Sequence, residues 1–140
     1  MAISTARLQP GHPGPIGFFG LRAKLASSGF TGIDPRRDDV IVQLSTANGQ
    51  LLCATIPHSL WQSGNGKRFK FADHSGSTAG GATEGRVTVD KNGGVTLTVV
   101  GHGLNPARFS PELGIAARIG SRCSVGATQL KSKHNRLIFP

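Results

Sequence analysis

The segment ADHSGSTAGG, residues 72–81, sets His74 beside Ser75 and Ser77, the side-chain types of a hydroxyl nucleophile and its base. Nucleophilic catalysis needs the base within hydrogen-bonding reach of the hydroxyl. Successive side chains of an extended segment point to opposite sides, so adjacency in sequence works against that pairing. The G-x-S-x-G turn that exposes a catalytic serine does not occur. Cys123 with His74 or His102 is a second nominal pair, unspecific in a chain with five histidines and two cysteines. His12, His58, His74, His102 and His134 stand singly, with no H-x-x-x-H or C-x-x-C spacing for a metal. In IDPRRDD, Asp34, Asp38 and Asp39 are oxygen donors of the kind a weak Ca²⁺ site uses, but Arg36 and Arg37 between them oppose a cation. Gly64-Asn65-Gly66-Lys67 lacks the spacing of a phosphate loop, Arg68 stands where its hydroxyl residue would be, and a strand-like segment follows. The expectation is a protein with no catalytic, cofactor-binding or metal-ligating residues. A hydrolase with an unrecognised site is the enzymatic alternative.

Charge is the more informative chemistry. Sixteen Lys and Arg face seven Asp and Glu, a formal net charge of +9. Such a balance suits an acidic protein, an anionic surface polymer or nucleic acid as partner. Two clusters stand out, Lys67, Arg68 and Lys70 in KRFK, and Lys131, Lys133 and Arg136 near the C-terminal end. In a strand, Phe69 and Phe71 share one face while Arg68 and Lys70 take the other. A chain with seven Phe, one Trp and no Tyr is expected to spend two such Phe on its core. That leaves the cations for contact and weakens a base-stacking platform, which needs exposed aromatics. A nucleic-acid-binding β domain is therefore the alternative to contact with an acidic protein or polymer. Cys53 and Cys123 have no metal-like spacing; one disulfide and two separate buried thiols both remain open.

These residues must be carried by strands. Apolar residues alternate with period two in GLRAKLAS, DVIVQLST, KRFKFAD, GRVTVD, GVTLTVVG and GIAARIG, and QLLCATIP and RCSVGATQL complete about eight strands. Asn48-Gly49, Asn65-Gly66 and Asn92-Gly93 mark turns. A three-residue loop at 47–49 pairs Leu44 with Leu52, Val42 with Ala54 and Val40 with Ile56. A loop at 92–94 pairs Val89 with Leu97 and Val87 with Val99, with Gly94 left-handed. The expected core draws on Leu21, Leu25, Val42, Leu44, Leu52, Ile56, Phe69, Phe71, Val87, Val89, Leu97, Val99, Ile115 and Ile119. The Pro and Gly residues at 10–15 read as part of a flexible linker over 1–18, ahead of one domain at 19–140. No run is long and apolar enough for a membrane span, and the first residues lack the apolar stretch of a signal peptide.

Cys53, Trp61 and Cys123 follow the order of an antibody-type domain, but Trp61 falls just past Pro57 and Ser121 takes the place of the corner tyrosine. The fold class expected is therefore all-β, an Ig-like two-sheet antiparallel sandwich of seven to nine strands. From LRAKL (21–25) through IDPRRDDVIVQL (33–44), ATIPHSLW (54–61), KRFKFAD (67–73), VTLTVVGHGL (95–104) and ARIG (117–120) to LIFP (137–140), the chain resembles an Ig-like module. That module recurs at the C-terminal end of large secreted or surface proteins of bacteria. The resemblance implies a non-catalytic, extracellular or cell-surface module, structural or adhesive in role. Export would favour a Cys53–Cys123 disulfide.

Overall fold

The computed structural model describes residues 1–11, 16–25, 30 and 32–140. Their strands are β1 (Ala2–Gln9), β2 (Gly17–Lys24), β3 (Val40–Thr46), β4 (Gly49–Ile56), β5 (Arg68–Ala72) and β6 (Ala82–Val89). They continue with β7 (Val95–Leu104), β8 (Glu112–Ile119), β9 (Arg122–Gln129), β10 (Lys131–Lys133) and β11 (Arg136–Phe139). A seven-stranded sheet runs β10-β11-β1-β2-β7-β6-β5, and a four-stranded sheet runs β4-β3-β8-β9. Every strand pairing is antiparallel. The architecture is a two-sheet antiparallel sandwich, as the alternation implied, but with eleven strands among the described residues where seven to nine were expected.

Alternation along each strand builds the core. In the large sheet Ala23, Leu97, Val87 and Phe69 lie side by side on β2, β7, β6 and β5, and all are buried. Val40, Val42 and Leu44 of β3, with Leu113, Ile115, Ala117 and Ile119 of β8, are the buried residues of the small sheet's two central strands. All the expected core residues are buried except Val89, which packs partly buried against the others. Trp61 joins the core with its ring edge-on to Phe71, centroids 4.9 Å apart.

The β3–β4 hairpin has the expected register, with Gly49 left-handed at φ 117°. The β6–β7 hairpin does not. Val87 faces Leu97 and Val89 faces Val95, two residues away from the expected pairing. The cause is Asp90, whose Oδ1 accepts from the backbone N–H groups of Asn92 and Gly94, both at 2.8 Å. This draws the loop back to 91–93, and Gly93, not Gly94, takes the left-handed position at φ 80°. A slip of two keeps every side chain on its expected face, so the core survives the error.

The linker reading of 1–18 is corrected. Ala2–Gln9 is a strand between β2 and β11, with Ala6 and Leu8 buried. The chain is extended and paired here because β2 and β11 both offer open ladder positions. Residues 12–15 of the supposed linker lie outside the described residues.

Candidate functional site

The ladders that stack apolar side chains inward stack cations outward. One row across the large sheet places Thr5, Arg22, Thr98, Arg86 and Lys70 side by side on β1, β2, β7, β6 and β5. The next row places Lys24, Thr96, Thr88 and Arg68 together. Arg22, Lys24, Arg68, Lys70 and Arg86 are all exposed. Arg7 lies one row further, its guanidinium over Gly20, where a β-carbon would sit 3.7 Å from Nη2. Glu84 is the acid of this face among the described residues. Lys24 also feels the Asp90 carboxylate at the sheet's end. None of these cations forms an ion pair among the described residues. The ion pairs there are Arg36 with Asp34, Arg37 with Asp38, and His58 with Asp39.

The spacing follows from the pairing. Lys70 and Arg86 are directly opposite, about 5 Å apart at Cβ. Arg22 and Arg86 are separated by one strand, about 10 Å. At the β5 edge Gln62 pairs with Lys70 through both backbone bonds, 2.9 and 3.0 Å. The segment at 62–65 thereby forms a wall beside the strand. Between that wall and the sheet lies an open concavity of about 860 Å³, lined by Gln62, Asn65, Arg68, Lys70, Arg86 and Thr88 among others. Three cations line it, Arg68, Lys70 and Arg86.

The six expected contact residues are not one patch. Arg68 and Lys70 face outward on β5, whereas Lys67 precedes the strand with its carbonyl accepting from Val89, and falls in register with the inner side. Lys131, Lys133 and Arg136 share the outer face but sit on β10 and β11, at the opposite edge. Six strand spacings separate the edges, about 29 Å. A twist of roughly 20–25° per strand turns the far edge well away from the near one. Arg7, Arg22, Lys24 and Arg86 fill the span and were not singled out in the sequence. Their signal was present, since Arg22 and Lys24 alternate with Leu21, Ala23 and Leu25, but the strand neighbours were not.

The other candidates are not assembled. Ser75 Oγ donates to Asp73 Oδ1 at 3.0 Å and lies 2.8 Å from Ser77 Oγ, while Thr78 N–H donates to Asp73 Oδ2 at 3.0 Å. Those bonds, the Thr78 N–H foremost, hold the Asp73 carboxyl below its usual range. The segment is a carboxylate-capped turn, and no hydrogen bond joins His74 to either serine among the described residues. His102 stands edge-on to Phe18. The acidic loop is also spoken for. Arg36 binds Asp34 at 2.8 and 3.0 Å, lowering its pKa, and stacks over Phe69 at 5.3 Å. Asp39 accepts from the backbone N–H and ring of His58, both 2.9 Å, and its pKa is lowered by them in that order. No group of three or more His, Cys, Asp or Glu comes together among the described residues.

The disulfide expectation and the buried-thiol alternative are both overturned. Cys53 and Cys123 are free and exposed. They lie on β4 and β9, the two edges of the same sheet, with β3 and β8 between them. Three strand spacings, about 14 Å, exceed the roughly 7 Å that a disulfide tolerates between Cα atoms. Their side chains face outward because each is paired with an outward residue, Gln43 and Arg118 respectively. The outer face of this sheet carries little charge beyond Arg118 and Glu112. Comparison with protein families, curated proteins and solved structures finds no match, so the functional reading rests on the two faces themselves.

Proposed function

We propose that the protein is a non-catalytic structural or adhesive sandwich module that holds an acidic partner on the outer face of its large sheet. The observation that carries this reading is the outward row of Arg22, Arg86 and Lys70, interleaved with threonines and free of ion pairs among the described residues. Like charges directly opposite across strands oppose folding, so the Lys70 and Arg86 pair is a cost that a passive surface has no reason to carry. An extracellular or cell-surface setting and an Ig-like kinship belong to the same proposal and rest on the motif order from Leu21 to Pro140. The test is Arg68→Glu combined with Lys70→Glu. Binding to a polyanion such as heparin, measured by titration calorimetry at low salt, is expected in the parent and lost in the variant, with the unfolding transition retained. Failure of the parent to bind any polyanion at low salt would sink the proposal.

A further inference from the structure

We infer that the acidic partner is a linear polysaccharide bearing carboxylate or sulfate groups, laid across the strands from the concavity beside β5 toward Arg22. This rests on the acidic-partner reading above and narrows it.

Four features of the face select that polymer. The first is direction. The cations align perpendicular to the strands, from Lys70 through Arg86 to Arg22, so the occupant is extended along that row. The second is spacing. Arg86 and Arg22 stand about 10 Å apart, whereas each strand of duplex DNA presents a phosphate about every 3.4 Å along the axis. The cation steps, about 5 Å from Lys70 to Arg86 and about 10 Å on to Arg22, are longer than that and match a chain with one charged group on each sugar unit. The third is the absence of a stacking platform. Single-stranded nucleic acid is held by aromatic side chains under successive bases. On this sheet Phe69 and Phe71 are buried on the inner side, and the exposed Phe18 lies two residues along β2 from Gly20, beyond the cation rows, edge-on to His102. The fourth is shape. A sheet twisting by about 20–25° per strand suits a chain that bends with it. Duplex DNA, with a persistence length of about 50 nm, does not follow such a surface.

The threonines complete the argument. Thr98 stands between Arg22 and Arg86, and Thr88 and Thr96 lie between Arg68 and Lys24. A hydroxyl both donates and accepts, which suits the sugar hydroxyls between charged groups. Arg68, Lys70 and Arg86 converge on the concavity and would hold one anionic group, with the Gln62 amide at its wall. Arg22 would hold a later one.

The experiment uses polygalacturonate, heparin, neutral dextran, a DNA duplex and oligo-dT, at matched charge for the four anions, with the 140-residue chain. Polygalacturonate or heparin is expected to bind more tightly than either DNA, and dextran not at all. Polygalacturonate oligomers of increasing length should show a rise in affinity once the chain reaches Arg22. Arg22→Gln should remove that rise, about fivefold, and leave short oligomers unaffected. Arg118→Gln, on the other sheet, should change nothing. A parent that binds DNA more tightly than both anionic polysaccharides would overturn the polymer class and leave the acidic-partner reading standing. Polysaccharide binding without the length-dependent rise, or with the rise intact in Arg22→Gln, would overturn the track. Binding to none of the anions would overturn the acidic-partner reading itself. Circular dichroism of each variant separates these outcomes from misfolding.

Discussion

Lys70→Glu should make the protein more stable and less able to bind polyanions. Lys70 and Arg86 are directly opposite on β5 and β6, both exposed. Opposed like charges cost roughly 0.2–1 kcal/mol, and opposed unlike charges gain a similar amount. Reversing one sign therefore swings the pair by about 1 kcal/mol in favour of folding. For a domain of this length that is a rise of about 3 °C in Tm. Neither Lys nor Glu favours strands, so intrinsic propensity largely cancels. The backbone bonds between Lys70 and Gln62 do not involve the side chain. Screening gives an internal control. The Debye length is about 8 Å at physiological salt and about 3 Å at 1 M, so the gain should shrink toward zero at high salt. Thermal unfolding at both salt levels reads the first half, and heparin titration the second. A lower Tm at low salt would mean that Lys70 has a stabilising anionic neighbour, and the row would lose its meaning. A higher Tm with unchanged heparin affinity would detach the row from function.

Three further outcomes follow from local geometry. Gly85→Ala should destabilise by about 1–2 kcal/mol, because a β-carbon there would overlap the Phe71 ring; overpacking costs roughly 1–3 kcal/mol, less the backbone gain from replacing glycine. Denaturant melts check this, and an unchanged midpoint would show that the ring has room to move. The Asp90 carboxyl is held below its ordinary range by the Gly94 and then the Asn92 N–H groups. A depressed carboxylate stabilises above its unfolded pKa and loses that contribution as pH falls through the folded value. Asp90→Asn should therefore show a smaller fall in Tm between neutral pH and pH about 3 than the parent, since the ordinary value is near 3.9; an identical fall would refute the turn's role. Both Cys53 and Cys123 should react rapidly with a thiol reagent in the native state, and an intramolecular disulfide in protein prepared under oxidising conditions would contradict the strand order.

What was legible in the sequence was whatever depends on period two. Strands β2 to β8 and the split between buried Phe69 and exposed Arg68 follow from alternation alone, whereas β9 is a strand whose apolar beat, Cys123 and Val125, faces outward with Ser124 buried between them. Strand β1 was hidden because it breaks that rule. A register shift between Ile3 and Thr5 puts Ile3 opposite Ala23 but Thr5 opposite Arg22, and only Ala6 and Leu8 keep the apolar beat. The β10–β11 hairpin was hidden because its turn is His134-Asn135, both left-handed without glycine. At β6–β7 the Asn-Gly signal was real, but the Asp90 side chain outcompeted it for the turn.

The basic face shows a different limit. Lys67, Arg68 and Lys70 draw attention because they are adjacent in sequence, yet adjacency along a strand alternates faces and removes Lys67 from the row. Arg22 and Arg86 are 64 positions apart and look solitary, but β7 lies between their strands and places Thr98 between them. Clustering on a sheet is decided by strand order, which is a property of the whole fold. The small sheet, built from the same alternation, puts Gln43, Ala116 and Val125 outward in the row of Cys53 and gathers no such charge. One chain thus makes two outer faces by the same rule and loads only one with cations. A uniformly basic surface, raised for solubility, would load both. The asymmetry concentrates the net charge of +9 on one face, which is where the proposed anionic partner would approach.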